Sequence, residues 1–215
     1  MVIALTITSF ARADIRLDRN FPWDVGKQGF QVQHGEPVRN AIGNYILKEE
    51  KYSPHFDIAD NDFRISVDGD VFYISALHYE SKEQKHSPHP IPGGGICAIY
   101  LADNSLNVVA SLTLKFKEFS GNVYCNGISG IGQVKGQNAL LATASYYPTE
   151  HVRLAQSAQE IGKNWRRETF LLRLTQQDGH WALVQDDDCL GNPNTLSDIP
   201  SARLAMKNRP ACKNP

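Results

Sequence analysis

Residues 93–147 most constrain what this chain can fold into, because they contain several β-like runs in direct succession. The first run is apolar and lies between three glycines and the turn residues Asp103-Asn104-Ser105, which is typical of a buried strand. The second alternates apolar and polar residues with the period of a strand that has one wet face. We expect the glycine-containing link at residues 129–137 to bulge or loop. Four strands are predicted in this stretch: 96–101, 107–116, 122–128 and 138–147.

Two Asp-Gly pairs flank this stretch and predict two β-hairpins. Asp68-Gly69 separates β-branched and aromatic runs, and a second Asp-Gly turn, Asp178-Gly179, divides residues 168–184 in the same way. Asp-Gly favours a tight turn because both residues tolerate positive φ. Two such hairpins around a β core indicate a meander, a sandwich or the blades of a small propeller.

Helical periodicity occurs at two places. Pro37 suits a first helical position, and the apolar residues at 38, 41, 42, 45 and 46 form one stripe, so we predict a helix over residues 37–50 that packs on a sheet. A second helix is predicted over residues 150–161, where apolar residues recur at threes between Thr149 and Gly162. A short helix is expected around residues 201–206.

These patterns predict a mainly β protein. We expect a single antiparallel β domain of roughly seven to ten strands, arranged as a meander, a sandwich or a propeller-like fold, with about two peripheral helices. The β-rich domain is placed at residues 14–188. The polar, proline-containing tail at 189–215 is expected to be held by a disulfide.

The first 13 residues resemble the end of a secretory signal. An apolar run, MVIALTITSF, precedes Ala11-Arg12-Ala13, which predicts cleavage after Ala13 and a mature chain that begins at Asp14. The run is too short to span a bilayer. The alternative is a buried first strand, because a basic segment before the apolar run is missing.

The four cysteines, Cys97, Cys125, Cys189 and Cys212, agree with export because their number is even and none lies in a C-x-x-C pair. Of the three pairings that four cysteines allow, the spacing favours Cys97–Cys125 and Cys189–Cys212. Disulfides place the protein in an oxidising compartment, periplasmic or extracellular. The alternative is four reduced thiols in the cytosol.

No catalytic, cofactor or metal motif stands out. Ser129 lies in a near miss of the G-x-S-x-G pattern, because residue 131 is Ile where Gly is required. His86 and His89 cannot share a regular helix because proline lies between and after them, and Asp186-Asp187-Asp188 lacks EF-hand spacing. We therefore expect no cofactor and no metal.

The function predicted from these observations is that of an exported, non-enzymatic binding protein, for example an inhibitor or immunity protein that binds a partner protein. Its net charge of −1 gives no reason to expect nucleic acid as a partner. The predicted contact surface is the proline-stiffened loop at residues 81–95, with Lys85, His86, His89 and Ile91 as binding residues. Two alternatives stay open: a small β-scaffold hydrolase with scattered catalytic residues, and a structural or adaptor component of the cell envelope.

Overall fold

The structure, a computed structural model, describes residues 14–18, 23–25, 31–33, 36–50, 62–79, 95–117, 123–148 and 165–212. Its strands are β1 (Arg16–Asp18), β2 (Trp23–Val25), β3 (Gln31–Gln33), β4 (Asp62–Val67), β5 (Asp70–Tyr79), β6 (Ile96–Asp103), β7 (Val108–Thr113), β8 (Val123–Gln133), β9 (Ala139–Pro148), β10 (Arg166–Gln177) and β11 (His180–Asp186). Its helices are α1 (Glu36–Tyr45), which continues into a π-helical turn (Ile46–Glu50), α2 (Asp187–Leu190), α3 (Ile199–Lys207) and a 3₁₀ turn (Pro210–Cys212).

The strands form two antiparallel sheets and one short ribbon. The five-stranded sheet has the order β1-β4-β5-β6-β7, the four-stranded sheet has the order β11-β10-β9-β8, and β2 pairs with β3. From β4 to β7 and from β8 to β11, neighbours in the sheet are neighbours in the sequence, so each sheet contains a four-strand meander. The predicted antiparallel, mainly β fold is confirmed. The described residues contain eleven strands rather than seven to ten, because β1, β2 and β3 are only three residues long each.

The two sheets pack face to face around the main hydrophobic core. On β6, Cys97, Ile99 and Leu101 belong to this core, while the residues between them face the other side of the sheet. This alternation follows from the two-residue period of a strand. The Cys97–Cys125 disulfide joins β6 of one sheet to β8 of the other, across a Cα–Cα distance of 5.3 Å. The bridge therefore connects the sheets through their shared interior.

The outer face of the five-stranded sheet is covered by α1, as the apolar stripe predicted. Val38, Ile42 and Ile46 are buried there against Ala98 and Tyr100 of β6. Burying an aliphatic side chain of this size stabilises the fold by roughly 1.5–3 kcal/mol. The helix therefore explains why β6 is buried on both faces.

The outer face of the four-stranded sheet is covered by the C-terminal tail. Ala202 and Met206 of α3 pack with Leu141 of β9 and Leu171 of β10 in a separate cluster. This cluster also contains Cys189 and Cys212, which form the second predicted disulfide. The described chain thus forms four layers: α1, the five-stranded sheet, the four-stranded sheet and the tail.

Side-chain amides join the sheets along one edge of the sandwich. Gln185 of β11 accepts from the Lys115 backbone N–H at 2.9 Å and donates to the Lys115 carbonyl at 2.8 Å. Asn192 of the tail accepts from the Lys117 N–H at 2.8 Å. These side-chain amides satisfy backbone groups of residues 115 and 117, just after β7. Without them, this edge of the sheet would have unpaired N–H and C=O groups.

The Asp-Gly turns have the predicted geometry. Asp68 and Gly69 adopt φ of 52° and 95°, and Asp178 and Gly179 adopt φ of 50° and 81°. Positive φ at both central residues matches the twist of a two-residue hairpin. The hairpins β4–β5 and β10–β11 therefore follow from turn chemistry that is visible in the sequence.

The link predicted at residues 129–137 is wrong in extent. Strand β8 continues to Gln133, and only residues 134–138 separate it from β9. Register shifts between Cys125 and Gly127 and between Ile128 and Gly130 mark two irregularities in the pairing of β8 with β9. Gly127 absorbs one of them with φ of 138°, a conformation that side chains disfavour. Gly130 and Gly132 therefore lie within a strand, and only Gly136 lies in the turn that follows it.

The other helix predictions have separate outcomes. The helix expected around residues 201–206 is confirmed as α3. The helix expected over residues 150–161 lies outside the described residues, as does the predicted signal segment at residues 1–13.

Candidate functional site

A cavity of about 470 Å³ lies between α3 and the turn that joins β8 to β9. Its volume falls in the range of pockets that hold small molecules. Its walls come from the end of β8, from the turn, from α3 and from the last described residue. The lining residues are Gln133, Val134, Lys135, Gln137, Arg203, Met206, Lys207 and Cys212.

Helix α3 forms one wall of the cavity because its first turn is well capped. The Asp198 carboxylate accepts from the Ser201 N–H at 2.7 Å, which satisfies one of the free donors at the start of the helix. Pro200 in the first turn needs no intrahelical partner. Ala202 and Met206 then face the sheet, which leaves Arg203 on the side toward the end of β8.

The position of Arg203 depends on a glycine in the facing strand. A Cβ atom at Gly132 would lie 2.7 Å from Cγ2 of Ile199 and 3.0 Å from Nη2 of Arg203. Only glycine therefore lets α3 approach β8 this closely. Nη2 of Arg203 donates to the Gln133 carbonyl at 2.8 Å, which fixes the guanidinium at the cavity wall.

The tail that carries α3 is held at both ends. The Cys189–Cys212 disulfide joins α2 to the 3₁₀ turn, with a Cα–Cα distance of 4.5 Å. Nε2 of Gln137 donates to the Cys212 carbonyl at 3.0 Å, and Arg209 donates to the Cys189 carbonyl at 3.2 Å. The disulfide and these hydrogen bonds therefore hold the walls of the cavity in place relative to one another.

Among the described residues, the cavity is lined by three cationic side chains and by no anionic one. Within the described residues, none of Lys135, Arg203 and Lys207 forms an ion pair with a carboxylate. The nearby Asp14 carboxylate accepts from the Gly136 N–H at 3.1 Å and is not part of the lining. The site therefore has a local excess of positive charge in a protein whose net charge is −1.

The described lining residues offer cationic, amide and apolar groups to a ligand. Among them there is no carboxyl, imidazole or hydroxyl group, and the only sulfur atoms are a thioether and a disulfide. The charged groups of this lining are the amines of Lys135 and Lys207 and the guanidinium of Arg203.

A second unusual group, Glu168, lies on β10 and is 0 % exposed. Burial raises the pKa of this carboxyl to about 7, and the negative charge of Asp187 adds to the effect. Hydrogen bonds from the Asn194 N–H, at 3.0 Å, and from Tyr146 oppose it. Such a pKa suits a general acid or base, but Glu168 does not line the cavity.

The structure places only part of the sequence-predicted site residues. Lys85, His86, His89 and Ile91, in the predicted binding loop, lie outside the described residues. All four cysteines are placed, and both predicted disulfides are confirmed.

The other candidates for chemistry have structural partners. The Ser129 hydroxyl donates to the Thr143 carbonyl at 3.3 Å, across the β8–β9 pair. The Asp186 carboxylate accepts from Arg173 Nε at 2.6 Å and also caps α2. Burial by itself raises the pKa of Asp187, but hydrogen bonds from the Lys117 ammonium and from two side-chain amides outweigh it and leave the pKa below its usual value.

The cavity residues were not predicted from the sequence. Lys135 and Arg203 are far apart in the chain and belong to no motif. The signals that exist are a glycine in β8 and a helix pattern in the tail that places Arg203 and Lys207 four residues apart. Neither signal indicates that the tail returns to the four-stranded sheet.

No family model, no curated protein and no solved structure matches this chain. Within the described ranges, none of the helices has the length and apolar character needed to cross a membrane. The same part of the chain contains no group of three or more His, Cys, Asp or Glu residues placed to hold a metal ion.

Proposed function

We propose that the protein is an exported binding protein that acts without catalysis, and that the cavity beside α3 is its ligand-binding site. The observation that carries this proposal is the composition of the lining: cationic, amide and apolar side chains around about 470 Å³, with no carboxyl, imidazole or hydroxyl group among the described lining residues. Because the tail disulfide, α3 and β8 already order the walls of the cavity, these residues lose little conformational entropy when a ligand binds.

Two disulfides are compatible with an oxidising environment outside the cytosol. Periplasmic or secreted localisation is the finer form of the proposal, and it also depends on the signal-like sequence at residues 1–13.

A ligand screen tests the proposal. The purified protein is surveyed by thermal shift with small molecules of positive, negative and zero charge, beside a Lys207→Trp variant. Lys207 is an exposed lining residue, so an indole at this position fills the cavity mouth without disturbing the core. We expect some compounds to stabilise the wild type but not the variant. The proposal fails if every stabilising compound acts equally on both proteins, or if none stabilises either.

The partner could itself be a protein, as in an inhibitor or immunity protein, and residues 81–95 remain the proposed contact surface for it. Replacing residues 85–92 with a Gly/Ser linker of equal length tests this. An unchanged set of captured partners, with the fold intact by circular dichroism, would reject the loop.

A small hydrolase is the second candidate, and Glu168 is the observation that favours it. A buried carboxyl with a pKa of about 7 is typical of acid–base catalysts. This alternative predicts that Glu168→Gln abolishes hydrolysis of a substrate found by screening esters, glycosides and phosphate esters. A structural or adaptor role in the envelope predicts neither ligand binding nor hydrolysis.

A further inference from the structure

Carboxylates neutralise five of the other cations that the structure describes. Arg39, Arg64, Arg173, Lys48 and Lys117 each pair with a carboxylate. The three cations of the cavity have no such partner within the described residues, although they converge on one space. A carboxylate or phosphate in that space would be their natural counter-ion.

The stability of the fold does not explain this cluster of like charges. Arg203 and Lys207 are four residues apart on α3, where like charges destabilise a helix, and Lys135 adds a third charge from the opposite wall. Lys207 in the last turn interacts favourably with the helix dipole, but that explains only one of the three. Surfaces that concentrate one sign of charge in a concave site attract ligands of the other sign.

Arg203 is the group best prepared to hold an anion. Its hydrogen bond to the Gln133 carbonyl orients the guanidinium and uses one of its five N–H donors. The remaining donors can form the paired hydrogen bonds that arginine makes with carboxylate and phosphate. Since the guanidinium is already ordered, binding an anion costs little further side-chain entropy.

The size of the cavity and its uncharged lining residues indicate what the rest of the ligand must be. Val134 and Met206 offer apolar contact, and Gln133 and Gln137 carry amides. A bare inorganic ion would leave most of the space of about 470 Å³ unfilled. The ligand therefore has an organic body as well as its charges.

We propose that the cavity binds a small organic anion with at least two negative charges, carried by carboxylate or phosphate groups. This inference rests on the proposed function and specifies its ligand class. Arg203 anchors an anionic group of the ligand, and Lys135 and Lys207 neutralise the remaining negative charge.

Isothermal titration calorimetry with matched probes tests the inference. The dianionic probes are glutarate and phenyl phosphate, and the neutral controls are glutaramide and phenyl acetate. We expect at least one dianion to bind, more weakly as salt is raised, and the neutral compounds not to bind. Stronger binding of glutarate than of phenyl phosphate would assign a carboxylate ligand, and the reverse would assign a phosphate ligand.

Charge-removing variants complete the test. Arg203→Gln should weaken binding about 10-fold or more, which is the effect of losing a charged hydrogen bond. Lys207→Gln is on an exposed position and should weaken binding without affecting folding. Lys115→Gln, an exposed lysine outside the lining, is the matched control and should bind like the wild type.

The inference is overturned if the neutral probes bind as well as the dianions, or if the Arg203 and Lys207 variants bind like the wild type. It is also overturned if neither dianion binds at millimolar concentration. The ligand screen then separates two failures: stabilisation by neutral or cationic compounds would leave the binding function standing, whereas no stabilisation by any compound would remove both.

Discussion

Glu168 is fully removed from solvent, although a carboxyl group ordinarily ionises well below neutral pH. Its Oε1 accepts from the backbone N–H of Asn194, and the side-chain amide of Asn194 donates to the Thr169 carbonyl at 3.0 Å. Thr169 in turn donates to the Leu196 carbonyl at 2.8 Å. This one buried carboxyl therefore anchors the tail segment that leads into α3, and its charge state affects how firmly that segment is held.

The protonation of Glu168 predicts a decrease in stability as pH rises. The pKa is about 7 in the folded protein, against 4.5 for a glutamate that is free of such surroundings, so the folded state binds more protons between these values. The free energy of unfolding then falls across that range, by roughly 3 kcal/mol in all, and is constant above it. Glu168→Gln stays neutral and should reduce the loss between about pH 5 and about pH 8 by that amount.

Urea denaturation of both proteins at the two pH values measures the effect, and other titrating groups cancel in the comparison. Glu49→Gln is the control, because this glutamate is 49 % exposed and pairs only with a neighbouring exposed lysine. An equal pH dependence for the wild type and Glu168→Gln would show that the buried carboxyl does not control stability.

At the scale of elements, the contact between α3 and β8 shapes the cavity, and it depends on Gly132. Replacing Gly132 with alanine places a methyl group 2.7 Å from Ile199, so the helix must shift away from the strand. We expect a loss of about 1–3 kcal/mol, typical of an overpacked contact, and a loss of the hydrogen bond from Arg203 to the Gln133 carbonyl. Chemical denaturation measures the loss of stability, and faster exchange of the α3 backbone amides would report that the helix is held less firmly against the strand.

Gly130 provides the matched control for this contact. It lies two residues earlier on the same strand, and a Cβ atom there would meet Ile199 at 3.9 Å, an ordinary van der Waals distance. Gly130→Ala should therefore leave α3 in place. An equal decrease in the free energy of unfolding for both alanine variants would contradict the prediction. It would show a general cost of replacing glycine in β8 and no special effect of the close approach at Gly132.

Most elements could be predicted from the sequence because their causes are local. The Asp68-Gly69 and Asp178-Gly179 turns, the stripe on α1 and the alternation along the strands each depend on residues within about ten positions. The end of β8 was misjudged because glycines in a strand with bulges resemble glycines in a loop. The bulges depend on the pairing of β8 with β9, and the pattern of residues within β8 does not reveal that pairing.

At the scale of the whole molecule, the sequence predicted a β domain and the helix that covers one sheet, but not the tail layer that covers the other. Strand β9 was predicted, but its burial on both faces depends on the other sheet and on the tail, which pack against it from distant parts of the chain. The cavity was missed for the same reason, because Lys135 and Arg203 meet only after the tail has packed on the four-stranded sheet. Only the Cys189–Cys212 pairing, predicted from spacing, indicated how the tail is held.

The start of the mature chain is the last prediction, and it concerns where the folded molecule begins. Asp14 accepts from the Gly136 N–H, Ile15 is 0 % exposed in the main core, and the Leu17 N–H donates to Gln133 at 2.7 Å. Cleavage after Ala13 would leave all three contacts intact, whereas cleavage two residues later would remove the contributions of Asp14 and Ile15. We therefore expect N-terminal sequencing of exported protein to begin at Asp14.

The stability of defined chains checks this argument independently of the export machinery. A chain that begins at Asp14 should unfold at a higher denaturant concentration than a chain that begins at Arg16, which lacks the contacts of Asp14 and Ile15. Adding Ile15→Ala to the chain that begins at Asp14 should cost about 2–5 kcal/mol, as expected for truncating a fully buried isoleucine. An exported protein that still begins at Met1 would contradict the predicted cleavage. A small effect of Ile15→Ala would instead show that burial of Ile15 does not anchor the start of the folded chain in the main core.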